Sequence, residues 1–308
     1  MVIATNNGSF PWTRPAGETS PDGAVLDRIT RETIELQARA GLDLLTDGLV
    51  RRTDPVSQVA GHLDGVTLGE RREGFPGSGA FYRVPIVAAD IAWKGPILCE
   101  DFLFARDGSP KPVKPVLTGP YTLARLAEDR AYDDRMALAM ALAIALNQEL
   151  RALQTAGATW LQIDEPALLQ SKEDFPLFTR LWEVLGRGIG AEMCLHLEGG
   201  DISGLYPGIA RLKRIACLSL DCVRGRASLG LLEGTPFPDT LKLSLGLVDG
   251  RATRVETPDE IRAVLEETRG LPPSDRLLLG TASDLGGLPV PIASAKLQSL
   301  VQVRDLGI

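Results

Sequence analysis

Histidine is nearly absent: the 308 residues hold only His62 and His196. A three-histidine metal site is therefore excluded. A Ser-His-Asp hydrolase would have to use one of these two as its base, and the Gly-x-Ser-x-Gly elbow that would carry its nucleophile is missing. The Walker phosphate loop and a GxGxxG turn are missing too, which argues against nucleotide chemistry of those kinds. The four cysteines, Cys99, Cys194, Cys217 and Cys222, form no Cys-x-x-Cys pair, so neither a disulfide framework nor a thiolate zinc cluster is encoded, and a reducing cytoplasm is the expected setting. No run of about 18 apolar residues marks a membrane span, and the opening MVIATNNGSFP lacks the basic-then-apolar pattern of an export signal. Forty acidic and 33 basic residues give a net charge of -7, spread without a basic stripe, so a small molecule is the expected partner and nucleic acid is not. The oligomeric state is left open.

What is present is an apolar content of 44%, enough for a substantial core. Short apolar runs alternate with helical patterns, the signature of parallel strands covered by helices. Candidate strands are Val2–Thr5, Leu42–Thr46, Tyr82–Val87, Val116–Thr118, Trp160–Asp164, Glu192–Glu198, Cys217–Asp221, Leu241–Val248 and Leu277–Thr281. Helices are expected over Asp22–Ala40, Asp133–Thr155, Leu177–Leu185, Pro258–Thr268 and Ile292–Val303. The alternation predicts one α/β domain over residues 1–308, a (β/α)8 TIM barrel. Residues 64–112, rich in glycine, proline and charge, break the rhythm; two short antiparallel strands around Tyr82 and Phe102 would account for them, either as a lid over one mouth or as a decoration.

Polar residues gather where the apolar strands end: Asp47, Thr118, Asp164 with Glu165, His196 with Glu198, Asp221, Asp249, and Ser283 with Asp284. In a parallel barrel these ends open on one face, where active sites lie; any one of them could equally be a cap or loop hydrogen bond. His196 and Glu198 alternate onto one face of their strand, and Asp221 ends the next strand. One nitrogen and two carboxylates could bind Fe(II), Mn(II) or a catalytic Zn(II); the other reading is a core histidine bonded to Glu198.

The motifs TNNGSFP, AGLDLLTDG, LTGPYTL, GATWLQIDEPAL, CLHLE, LSLDC and ASDLGGLP resemble, in order and over nearly the whole chain, the catalytic barrel of cobalamin-independent methionine synthase, the MetE family. That resemblance implies a MetE/UROD-like barrel. It also implies a zinc ion held by a His-x-Cys strand end, a Glu and a C-terminal Cys. Here the matching positions are His196, Glu198, Asp221 and Ser283, so neither thiolate is kept. The family's acidic substrate-binding residue after the second strand is Leu49, its proton-transferring histidine aligns with Arg251, and its folate-packing aromatic with Leu126. Gly8, Ser9 and Asp164 match positions that bind substrate.

Exchange of sulfur for carboxylate favours hard divalent ions over zinc. In this the chain resembles a diverged branch of the barrel, the non-haem iron oxygenase of oxazinomycin biosynthesis, although no residue is matched one by one. The expectation is an Fe(II)-dependent oxygenase of natural-product biosynthesis oxidising a small polar heterocycle with O2. His196, Glu198 and Asp221 would hold the metal with Ser283 nearby, Asp164, Glu165 and Arg251 would act on the substrate, and Gly8, Ser9, Asp164 and Thr118 would bind it. The alternative is a zinc-dependent methyltransferase acting on a thiol.

Overall fold

A computed structural model describes residues 1–12, 22–74 and 81–307. Seven parallel strands, β1 (Ile3–Thr5), β4 (Val116–Thr118), β6 (Trp160–Asp164), β7 (Glu192–Leu197), β8 (Cys217–Asp221), β9 (Lys242–Val248) and β10 (Leu277–Thr281), lie in the order β1-β10-β9-β8-β7-β6-β4. Two parallel bridges, Thr5 to Leu44 and Leu45 to Val113, complete the circle through an eighth stave. The curled sheet is the expected barrel. The stave at 44–45 is shorter than Leu42–Thr46 because a side chain replaces part of its ladder. Gln37 accepts the Thr46 N–H at 3.2 Å and donates to the Thr46 carbonyl at 3.0 Å.

Helices α1 (Gly23–Arg39), α5 (Arg135–Thr155), α6 (Phe175–Leu185), α8 (Pro258–Glu267) and α9 (Val290–Leu306) match the expected ones to within a few residues. Reciprocal hydrogen bonds between Thr257 and Glu260 fix the start of α8, satisfying two amides that have no partner inside the helix. Shorter helices α2 (Pro55–Ala60), α3 (Cys99–Asp107), α4 (Pro120–Leu126) and α7 (Ala227–Gly234) complete the set. By length and hydropathy α5 could cross a membrane. Its buried face, from Leu138 to Leu153, instead includes the hydrogen-bonded Glu149, which marks it as a core helix.

The excursion differs from expectation. Its antiparallel pair is β2 (Leu63–Glu73) and β3 (Phe81–Trp93), with Arg72 opposite Tyr82, and β5 (Glu128–Asp129) adds in parallel to β3. The loop at 75–80 is outside the described residues. Phe102 is not in a strand but in α3, because Cys99, Phe102 and Ala105 bury one helical face. Glu100 and Asp101 sit in the first turn of that helix, where acidic groups stabilise the N-terminus.

Inside the barrel the lower layer is apolar: Cys194, Cys217 and Leu278, packed on by Ile3 and Trp160. The layer above it is polar. Asn7, Lys114, Gln162, Ser219 and Ser244 are all at most 2% exposed, and they form the floor of the mouth described next.

Candidate active site

Asp164 ends β6 in register with Thr118 on one side and His196 on the other. Its Oδ1 accepts from Gln162 Nε2 at 2.8 Å. Burial raises its pKa to about 7; Asp284 adds to the rise, while the Gln162 bond, Lys114 and Arg52 oppose it. Glu198 is raised well above the carboxylate range by burial, with Asp284 and Asp164 repelling its charge and Arg251 partly offsetting them. Asp284 faces the mouth cavity, and desolvation there raises it as well. Asp164, Glu198 and Asp284 thus share one electrostatic field, in which each carboxyl is harder to ionise than a solvated one.

Asp284 was visible in the ASDLGGLP motif, but its role comes from contacts that are distant in sequence. Its Oδ1 accepts from the Ser9 amide at 2.6 Å, and a Cβ on Gly8 would fall 1.8 Å from that oxygen. Gly8 and Ser9 therefore seat the carboxylate, and Ser9 Oγ also accepts from the Gly286 amide at 3.1 Å. Gly8→Ala should displace Asp284 and lower kcat/KM about tenfold or more, each factor of ten corresponding to ~1.4 kcal/mol of lost transition-state stabilisation. Steady-state rates and a thermal melt of the same sample check this; an unchanged kcat/KM would show that Asp284's placement does not matter.

Beside these residues lies a cavity of about 370 Å3 whose lining includes Ser9, Phe10, Leu49, Arg52, Asp54 and Asp284. Leu49, at the position where the resemblance implies an acidic residue, has a left-handed backbone at φ 53, and its amide bonds Asp47 Oδ1 at 3.1 Å. The Arg52 side chain is 2% exposed, with Asp47 Oδ2 at 3.8 Å. Its Nη1 donates to the Val116 carbonyl at 2.6 Å, and among the described residues its buried Nε has no hydrogen-bond partner. An arginine in DGLVRRTD reads as a surface residue, so sequence reasoning missed it.

Glu165 does not reach this mouth. Its carboxylate accepts from the Tyr121 and Thr122 amides at 3.1 and 2.7 Å, satisfying free N–H groups at the start of α4. A Cβ on Gly119 would collide with it at 2.2 Å. Burial raises Glu165 to about 7 against those bonds. The reading of Glu165 as a catalytic group is thus replaced by that of a helix cap.

The expected three-ligand face meets a similar obstacle. Asp221 Oδ1 accepts from the Val223 and Arg224 amides, both at 2.9 Å, and Oδ2 from the Gly199 amide and Arg251 Nη1, both at 3.0 Å. With four donors on its two oxygens, this carboxylate is occupied as an acceptor. Arg251 also bonds Asp249 through Nε at 2.6 Å, and its buried Nη2 has no partner among the described residues. Ser283 Oγ accepts from the Gly250 amide at 3.2 Å. Cys194 lies in the apolar layer below. Among the described residues no three of His, Cys, Asp and Glu are grouped to hold a metal ion. The side chains at the family's zinc positions therefore do not fit a resident zinc, nor do they fit the expected Fe(II).

His196 is 2% exposed, and its Nδ1 lies 3.0 Å from Ser219 Oγ. Burial pushes its pKa down to about 3, helped by Lys114 and Arg251 and opposed by Asp221, so the imidazole is neutral at pH 7. The second histidine, His62, is exposed on the surface, its Nδ1 2.6 Å from the Gln58 carbonyl.

Comparison with known proteins gives a consistent result. The sequence profile described as "Cobalamin-independent synthase, Catalytic domain" matches residues 17–305. A methionine synthase of Saccharolobus solfataricus is 32% identical over 272 residues, covering 86% of this chain and 79% of that protein. One from Sulfurisphaera tokodaii is 28% identical, covering 98% and 91%. Among solved structures, a B12-independent methionine synthase from Shewanella sp. W3-18-1 in complex with selenomethionine superposes with a TM-score of 0.88 at 23% identity, covering 99% of this chain and 97% of that one. A putative vitamin-B12 independent methionine synthase from Listeria monocytogenes gives 0.75 at 20% identity, covering 99% of both. These relatives overturn the expectation of an Fe(II)-dependent oxygenase, since they cover 86–98% of the chain and are methionine synthases.

Proposed function

The chain belongs to the cobalamin-independent methionine synthase catalytic family, and on that premise we propose that it is a methyltransferase acting on the thiol of a small amino acid. Beyond the relatives, the observation that carries this reading is the mixed charge of the mouth. Asp164, Glu198 and Asp284 lie in one field with Arg52 and Arg251, a lining suited to a zwitterion with an ammonium at one end and a carboxylate at the other. Arg251 Nη2 and Arg52 Nε, buried and without a partner among the described residues, leave both guanidiniums with unused donors at this mouth.

In this reading Asp164 takes the proton from the acceptor thiol, its pKa of about 7 placing it near the pH at which a base both ionises and holds a proton. The sulfur attacks the methyl carbon, the S–C bond forms, and the bond from carbon to its donor breaks with its electron pair leaving on the donor. Arg251 and Arg52 orient the carboxylate end. No step is assigned to zinc, since the donor set does not fit it.

The test is direct. Purified protein, treated with a chelator, is incubated with homocysteine and a methylated folate or methylcobalamin, and the methyl thioether is followed by mass spectrometry. Turnover that survives chelation is the expected result. Absence of methyl transfer from either donor, with and without added zinc, would overturn the reading.

A further inference from the structure

The hydrogen bonds beneath the mouth fix which nitrogen of His196 carries its proton. Lys114, whose pKa burial pushes down, donates from Nζ to Asn7 Oδ1 at 3.0 Å. The Thr281 carbonyl can only accept, and Asn7 Nδ2 reaches it at 2.8 Å. These two contacts leave a single orientation for the Asn7 amide. In that orientation Asn7 Nδ2 also donates to Ser219 Oγ at 3.2 Å. The Ser219 hydroxyl hydrogen must then go elsewhere, and among the described residues its one other partner is His196 Nδ1 at 3.0 Å. Nδ1 is the acceptor, so the imidazole hydrogen sits on Nε2.

We infer that His196 presents an Nε2–H donor to the barrel mouth, in a tautomer set by Lys114 through Asn7 and Ser219. Its ligand is consequently an electron-rich atom of the bound substrate, an anionic oxygen or sulfur, and not a divalent cation, which would need the Nε2 lone pair. Nε2 has no hydrogen-bond partner among the described residues, so this donor is available to a ligand. Lys114 acts as a positioning residue. It is 2% exposed, and its hydrogen bonds lead to His196 through Asn7 and Ser219. The inference concerns proton placement and stands whether or not methyl transfer is observed.

Its test uses the scarcity of histidine. In protein labelled with 15N-histidine, a long-range 1H–15N correlation spectrum at a pH where both rings are neutral contains two residues, and His62 serves as an internal opposite. Its Nδ1 faces a carbonyl at 2.6 Å, so that ring must carry its proton on Nδ1. The expected spectrum shows His62 as the Nδ1–H tautomer and His196 as the Nε2–H tautomer. Ser219→Ala, which removes the relay with little change in volume, should turn the His196 signals into a mixture, and Lys114→Met should do the same where it folds. Titration with zinc should leave the His196 Nε2 resonance and its proton unchanged. An Nδ1–H pattern for His196 in the wild type, a tautomer unaffected by Ser219→Ala, or loss of the Nε2 proton on stoichiometric zinc would each overturn the inference.

Discussion

Asp164→Asn is expected to lower kcat by roughly 10²–10⁴-fold, the range over which a positioned general base contributes, with a much smaller change in melting temperature. The amide preserves the shape of the side chain and can still accept from Gln162 Nε2, which is 2.8 Å from the native oxygen, but it cannot take a thiol proton. In the wild type the rate should rise with pH through about 7, where Asp164 ionises, and this limb should disappear in the variant. Linkage gives the stability an opposite slope. The folded-state pKa lies above the unfolded value, so the stabilisation from this group is fully present below the unfolded pKa and is lost as pH rises through about 7. Asp164→Asn should therefore flatten the stability profile between about pH 4 and 7 and be relatively more stable than wild type at the alkaline end. Rate–pH profiles and chemical denaturation across that range check both halves. An unchanged kcat with the limb intact would move the base function to another residue.

The strands from β6 to β10 could be read from the sequence because each is a short apolar run ending in a polar residue, a pattern that local chemistry alone produces. The stave at Leu44–Leu45 could be placed but not measured, since its end is set by Gln37, a residue of the preceding helix. The strand end at Asp221 is a stronger case. Position at the end of β8 suggested a free carboxylate, but it could not show that the β8 turn, the Gly199 amide and a guanidinium had already taken up its oxygens. The same holds for Glu165, whose partners lie more than 40 residues earlier. Lys114 and Arg52 escaped notice for the opposite reason. Charged residues beside strands are ordinarily solvated, and only the closed barrel shows that these two are buried.

Glu149→Ala is expected to be among the most destabilising single changes in the chain, and it probes how the excursion is attached. Glu149 lies on the inner face of α5 with no exposure. Its Oε2 accepts from Trp93 Nε1 at 2.8 Å and from the Ile97 amide at 2.9 Å, and its Oε1 from the Leu98 amide at 2.9 Å. One carboxylate thus fastens the end of β3 and the approach to α3 onto the helix that precedes β6. Truncation leaves two buried backbone N–H groups and an indole N–H without acceptors, each costing about 1–3 kcal/mol, for a total of roughly 3–5 kcal/mol once local relaxation is allowed. For a chain of this size that corresponds to a fall in Tm of roughly 5–8 °C. Glu149→Gln, which keeps one acceptor oxygen but turns an amide towards the remaining donors, should fall between the two. The loss should be local at first. The Ile97 and Leu98 amides should lose hydrogen-exchange protection while β6 and β7 keep theirs. Cys99, 8% exposed and pushed up to about 11 by burial and by the Glu149 charge, should react faster with a thiol reagent, because both its cover and the neighbouring negative charge are weakened. A melt and a thiol-modification rate indistinguishable from wild type would show that the hairpin is held by its apolar contacts alone.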